Sequence, residues 1–221
     1  MKFIFILIIG LTAGLAKANT THPTEIIVGR DKAIVTLCEY GSLTCHVCAR
    51  FATSIKDELF TKFGDKLRIV MRPFPFNKID IEGFKLVLCS KDPVKYSTAI
   101  YEKQDDLFAA KDQVEAVKDI VKGLGMTSHE IQKCLENKQL EQQIIMRRQL
   151  LKADVAPILK IGKIKISGLP KTPLLESLIE EAIQYVEAGG DISTFTGSEK
   201  LRRSLGLKPL ENDKNAKKIT K

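Results

Sequence analysis

The polar–apolar pattern opens with two short runs rich in Ile and Val, "EIIVG" from Glu25 and "AIVTLCEY" from Ala33. Both are too short for a helix and predict strands. After Cys48 the period changes: Phe51, Ile55, Leu59 and Phe63 recur every four residues. That spacing predicts one face of an amphipathic helix, ended by Gly64-Asp65. "LRIVM" from Leu67 then reads as a buried strand. From residue 78 to 153 the chain is rich in Lys, Glu, Gln, Leu and Ala and predicts several helices. Within it, Thr127 followed by Glu130 is a capping-box signal, and Ile131, Cys134 and Leu135 share a face. Strand character returns in "PILKIGKIKISG" from Pro157, two alternating runs flanking Gly162-Lys163, with Gly at the first position of a tight hairpin turn. A last helix follows, with Thr172 as cap, Pro173 in the first turn and Gly189-Gly190 at the end. Its apolar face is Leu175, Leu178, Ile179, Ala182, Ile183 and Val186.

Strand, turn, helix, strand, helical block, hairpin, helix is the order of a small mixed sheet with helices on its faces and a helical insertion. The segments run 19–77 for the first part of the α/β core, 78–153 for the insertion and 154–190 for the second part of the core. A basic tail at 191–221 remains. From residue 197 onward it holds eight Lys/Arg against three Asp/Glu, so from about residue 196 it is expected to be mostly disordered.

Hydrophobic content of 44% supports a real core, and the net charge of +8 is scattered. No Lys/Arg run resembles a nucleic-acid arm, so no nucleic-acid partner is expected. The first eighteen residues have the form of a cleaved signal peptide: Lys2, an apolar stretch from Phe3 to Leu15, then Ala16-Lys17-Ala18. Losing Lys2 and Lys17 would leave +6 on a chain starting near Asn19. The expectation is an exported, periplasmic protein in a compartment where disulfides persist.

Export gives meaning to the five cysteines, Cys38, Cys45, Cys48, Cys89 and Cys134. Cys45-His46-Val47-Cys48 lies between a predicted strand and the helix after it. A c-type haem needs His directly after the second Cys, where this chain has Ala49. A closed zinc site needs four ligands, and Cys45, His46 and Cys48 offer three; a copper or zinc carrier stays open as a rival. A structural staple across so short a loop would constrain the unfolded chain little. Redox exchange fits the position best. A helix N-terminus favours a thiolate at Cys45, His46 adds a group able to carry positive charge, and Cys48, one turn on, would resolve the mixed disulfide. Cys89 and Cys134 fall on apolar helical faces, either as a second disulfide or as two buried thiols. Cys38 reads as an inert core thiol. Glu39 is either a partly buried carboxylate acting on Cys48 or a solvated strand-end acid.

The segment "VTLCEYGSLTCHVCARF" resembles the active-site region of the DsbA-type thiol–disulfide oxidoreductases, a thioredoxin-like fold with an inserted α-helical domain. "IVMRPFPFN", Leu86 to Ser90, Ile131 to Leu135 and "VAPILKIGKIKISG" extend the resemblance over roughly residues 25–188. It implies that Cys45 is the nucleophile, that Cys48 is its partner, and that Pro157 is a cis-proline facing them. It also implies a second disulfide between Cys89 and Cys134. No cofactor is implied. The expected partners are cysteine-bearing exported proteins and a DsbB-type membrane oxidant linked to quinone, with the chain a monomer. Two departures stand out. His46-Val47 replaces the Pro-His usual in oxidase members, which keeps a reductase or isomerase open, and Ala156 precedes Pro157 where Thr or Val is usual.

Overall fold

In the computed structural model, residues 24–210 are described; the expected signal peptide and residues 211–221 lie outside them. The predicted strands form as β1 (Ile26–Val28), β2 (Val35–Gly41) and β3 (Leu67–Pro73). β4 (Ile158–Ile161) and β5 (Ile164–Ser167) make the hairpin. They join in one sheet of order β1-β3-β2-β4-β5, in which β2 and β3 are parallel and the other neighbours antiparallel. Ile161 pairs with Ile164 across the two-residue turn. Gly162 takes φ 54° there, and a Cβ on it would lie 2.4 Å from the Ile192 carbonyl oxygen. Both the turn and the chain crossing over it require glycine.

The helix after β2 is built in three pieces: α1 (His46–Arg50), a π-helical turn (Phe51–Ile55) and α2 (Lys56–Phe63). A repeat of four drifts by roughly 40° per step on a 3.6-residue helix. The wider π turn absorbs part of that drift, so Phe51, Ile55 and Leu59 all stay buried. Such turns concentrate at functional sites, and this one directly follows the cysteine pair.

The insertion comprises α3 (Lys78–Cys89), α4 (Pro93–Glu102), α5 (Gln104–Ala109), α6 (Gln113–Gly123), α7 (Ser128–Leu135) and α8 (Lys138–Leu151). The Thr127–Glu130 capping box forms at the start of α7. α3 packs against α4, α6, α7 and α8, while α4 reaches α1 and the π turn. The insertion is therefore a wall of the cysteine site, and one apolar core runs through both parts. On the sheet, α2 lies against β3 and α9 (Thr172–Glu187) against β2. Thr172 is the first residue of α9 instead of its cap, which is Lys171 with no side-chain bond; the fixed φ of Pro173 starts the helix unaided.

The expected disorder from about residue 196 does not hold for the described part of the tail. A 3-10 turn (Ile192–Thr194) leads to α10 (Glu199–Ser204), capped by the Ser198 hydroxyl. Phe195 and Leu201 are buried. Lys163 N–H donates to the Phe195 carbonyl at 2.9 Å, and Ser198 N–H donates to Glu181 Oε2 at 2.9 Å. Two anchoring apolar residues order a segment whose composition is dominated by charge. Phe195→Ala should lower unfolding stability by about 3 kcal/mol, measured by urea denaturation; a change within a few tenths would show that the tail does not hold the hairpin.

Candidate active site

The alternation of β2 sets the first part of the site. Val35, Leu37 and Glu39 occupy one face and all three are buried, Glu39 at 2% exposure. Cys38 and Tyr40 lie on the other face, where Tyr40 packs with Phe74 and Ile158. Glu39 thus holds a position where the period calls for an apolar residue. Gly41 makes room for it, since a Cβ there would sit 2.1 Å from Glu39 Oε1. That oxygen has no hydrogen-bond partner. Burial first, and then the nearby Cys45, push the Glu39 carboxyl up to about 8.

Beyond Gly41 the turn Ser42–Thr44 brings Cys45 to the N-terminus of α1. Cys45 is extended, at φ −101° and ψ 115°, and caps the helix: Cys48 N–H donates to Cys45 Sγ at 3.2 Å. The five cysteines are thiols here. Cys45 is held down at about 6, by the Cys48 thiol hydrogen-bonding to its sulfur and then by the backbone N–H groups of Cys48 and Val47, with burial opposing. Cys48 is fully buried, and burial, the Cys45 sulfur and Glu39 all drive its pKa far above the ordinary thiol value. The pair is therefore asymmetric: Cys45 is the sulfur that ionises more readily, and Cys48 is a buried thiol beside a carboxyl whose pKa is raised to about 8.

Two side chains of the insertion fix the turn, and neither is signalled by sequence pattern. Asp80, fully buried in the first turn of α3, accepts hydrogen bonds from Ser42 Oγ (2.9 Å to each carboxylate oxygen), Thr44 N–H (3.0 Å), Thr44 Oγ1 (3.2 Å) and Phe76 N–H (2.8 Å). Buried Gln104, in α5, donates from Nε2 to the carbonyls of Leu43 (2.6 Å) and Cys45 (3.2 Å). Asn77 followed by Asp80 could have been read as a helix start, and Asn77 does cap α3. Nothing in the sequence links Asp80 to a turn 36 residues away.

The remaining candidate residues divide. The Ala156–Pro157 peptide is cis, and Cys45 Sγ lies 3.6 Å from the Ala156 carbonyl oxygen, which puts that peptide beside Cys45. His46 is exposed, with its ring edge-on to Phe108 of α5 at 5.0 Å; none of the hydrogen bonds to Cys45 comes from it. Cys89 and Cys134 lie together in the insertion, away from this site. Cys89 is exposed and Cys134 buried, and burial followed by the neighbouring Cys89 thiol pushes Cys134 up to about 12. Cys38 is half-buried, and burial raises its pKa. No group of three or more His, Cys, Asp or Glu side chains arranged to hold a metal occurs among the described residues.

The two perturbed groups have measurable signatures. The pH dependence of Cys45 alkylation in the reduced protein should show a midpoint near 6; a midpoint above about 8 would remove the helix N-terminus from the account. Glu39 binds a proton in the folded state that the unfolded chain has released, across the window from about 4.5 to about 8. In the oxidised protein the Cys45 charge is gone but burial, the larger cause, still raises the Glu39 carboxyl, so stability should fall as pH rises above about 4.5. Glu39→Gln should flatten the slope, read from urea midpoints; an unchanged slope in the variant contradicts the assignment.

Comparison with known proteins agrees with this geometry. A family model described as Thioredoxin matches residues 21–181. A Rickettsia felis protein provisionally named a protein-disulfide oxidoreductase is 29% identical over 126 residues, which is 55% of this chain and 45% of that protein. The chain spans about half the length of the curated relatives it matches first. The crystal structure of Wolbachia pipientis alpha-DsbA1 superposes with a TM-score of 0.68 at 18% identity, covering 76% of this chain and 94% of that one. A protein-disulfide isomerase from Novosphingobium aromaticivorans gives 0.60 at 20% identity, covering 72% and 98%. The matched family model, the mixed sheet and the helical insertion that walls the cysteine pair together show that this chain belongs to the thioredoxin family and has the architecture of its DsbA-type thiol–disulfide oxidoreductases.

Proposed function

We propose that the chain is an exported thiol–disulfide oxidoreductase that oxidises cysteines in other exported proteins through Cys45 and Cys48. The observation that carries this reading is Cys45 Sγ at the N-terminus of α1, accepting from the Cys48 N–H at 3.2 Å with the buried Cys48 one turn behind it. In the oxidised enzyme a substrate thiolate attacks Cys45 Sγ. A substrate–Cys45 bond forms, the Cys45–Cys48 bond breaks, and the electron pair leaves on Cys48. Glu39, whose carboxyl burial raises above the ordinary range, is placed to give that sulfur a proton. A second substrate thiolate then attacks the substrate sulfur, closes the substrate disulfide and releases Cys45 as a thiolate. The substrate loses two electrons and the enzyme pair gains them. A DsbB-type membrane partner linked to quinone would take them away.

The direction follows from the same sulfur. A thiol with a pKa near 6 is mostly ionised at pH 7, which favours the reduced pair by about tenfold over one with an ordinary pKa. That displaces the potential in the oxidising direction by about 30 mV at most, and by less once solvent screening at a half-exposed sulfur is allowed for. The modest size gives weight to a second reading, an isomerase, in keeping with the name of the Novosphingobium neighbour. A metal carrier built on Cys45, His46 and Cys48 is disfavoured because the His46 ring is turned edge-on to Phe108. In an oxidising compartment Cys89 and Cys134 would close a second disulfide, since their side chains already meet.

Mixing the oxidised protein with a reduced, unfolded cysteine-bearing protein tests the proposal. The substrate should gain disulfides as Cys45 and Cys48 become reduced. Cys48→Ser, first loaded at Cys45 with glutathione through a mixed disulfide, should exchange it for the substrate, releasing glutathione as a thiol and accumulating a substrate–Cys45 disulfide, and Cys45→Ser treated the same way should form none. Transfer of equal rate in Cys45→Ser would overturn the assignment.

A further inference from the structure

A groove of about 750 Å³ lies between the loop after β3 and the end of α8 with its following linker. Each of its walls is linked to a residue next to Cys45. On one side Asn77 Nδ2 donates to Thr44 Oγ1 at 3.0 Å, and Thr44 immediately precedes Cys45. On the other, Asp154 lies two residues before Ala156, whose carbonyl oxygen is 3.6 Å from Cys45 Sγ. The groove is therefore within reach of a polypeptide whose cysteine meets Cys45.

The groove has a defined chemistry. Phe76 stands 37% exposed, with its ring edge-on to buried Phe74 at 5.3 Å. The Arg148 guanidinium stacks over it at 4.6 Å, held from behind by donation to the Pro75 carbonyl at 3.0 Å. Lys78 and Lys152 are exposed at the rim, and neither makes an ion pair among the described residues. Asp154 is the one carboxylate of the lining; it is 99% exposed and 3.8 Å from Arg148, too loose to neutralise it. Three cations thus surround one apolar ring.

We propose that this groove is a specificity subsite of the enzyme, reading an extended substrate segment in which the reacting cysteine is followed or preceded at short range by an apolar side chain and an acidic one. The apolar side chain covers Phe76, and the carboxylate meets Arg148, with Lys152 and Lys78 steering its approach. Phe76 and Arg148 determine specificity and take no part in electron transfer. The inference rests on the oxidoreductase reading above and names the substrate class for that same site.

The test uses the oxidised full chain and short peptides with one cysteine, in which Asp or Lys is walked through the positions on either side. Two peptide thiols become one peptide disulfide as the enzyme pair takes up two electrons and two protons, followed by quenched alkylation. Each rate is divided by the rate of the same enzyme variant with dithiothreitol. At one side of the cysteine Asp should be preferred over Lys by about fivefold, as expected for a solvent-accessible charge pair near 1 kcal/mol. Arg148→Glu should invert that preference, and Phe76→Ala should reduce the preference for Leu over Ala beside it. Should Arg148→Glu fail to fold, Lys152→Glu, at an exposed side chain, should weaken the Asp preference in its place. Equal rates for Asp and Lys peptides at every position, or a preference unchanged in Arg148→Glu or Lys152→Glu, overturns the subsite. Failure of the wild type to oxidise dithiothreitol at all would instead strike down the oxidoreductase reading beneath it.

Discussion

The bond from Cys48 N–H to Cys45 Sγ, 3.2 Å long, is the contact on which the chemistry of this protein depends. It requires Cys45 in extended backbone at a helix N-terminus and Cys48 in the first turn behind it, so the four-residue spacing and the strand-to-helix junction are one constraint. The unsatisfied amides of a helix start stabilise negative charge, and here they fall on sulfur. The same geometry buries Cys48, where a thiolate is costly. The two neighbouring sulfurs differ because Cys45 caps the helix at its half-buried start and Cys48 lies one turn in, fully inside the core.

The rest of the molecule keeps that turn in place. β2 ends in Glu39-Tyr40-Gly41, which carries a buried carboxyl up to Cys48 and leaves space for it. The insertion contributes Asp80 and Gln104, which together bind Ser42, Leu43, Thr44 and Cys45. A buried carboxylate is tolerated only when it is well hydrogen-bonded. Asp80 meets that condition with donors from both the turn and the loop after β3, so it holds the insertion to the α/β core at the point where alignment of the sulfur matters most. Glu39 is the opposite case, poorly satisfied and consequently neutral, and a neutral carboxyl beside Cys48 is what proton transfer at that sulfur needs.

Much of this was legible from the chain. The strands, the capping box at Thr127, the hairpin at Gly162-Lys163 and the helical block follow from periodicity and turn chemistry, which are local properties. Cys45 and Cys48 were legible because spacing and junction coincide. Glu39 was half-legible: it breaks the apolar alternation of Val35 and Leu37, but a strand end in water would look the same. Asp80 and Gln104 were not legible, because their partners are set by tertiary packing. The tail was misread for a related reason. Phe195 and Leu201 are sparse among charges, and only the hairpin and α9 beneath them show that two residues suffice to anchor it. The contact of the His46 ring with Phe108 was likewise not legible, since it depends on how the insertion packs.

The equilibrium reduction potential of the Cys45–Cys48 pair against glutathione, with Cys89 and Cys134 intact, tests the central claim most directly. If helix-end stabilisation of the Cys45 thiolate sets the direction of electron flow, the potential should lie between about −200 and −120 mV, on the oxidising side of the glutaredoxin range. A value at or below about −230 mV would mean that the pair prefers to remain a disulfide once formed. The thiolate would then serve a reductase or isomerase, and the oxidase account would be wrong.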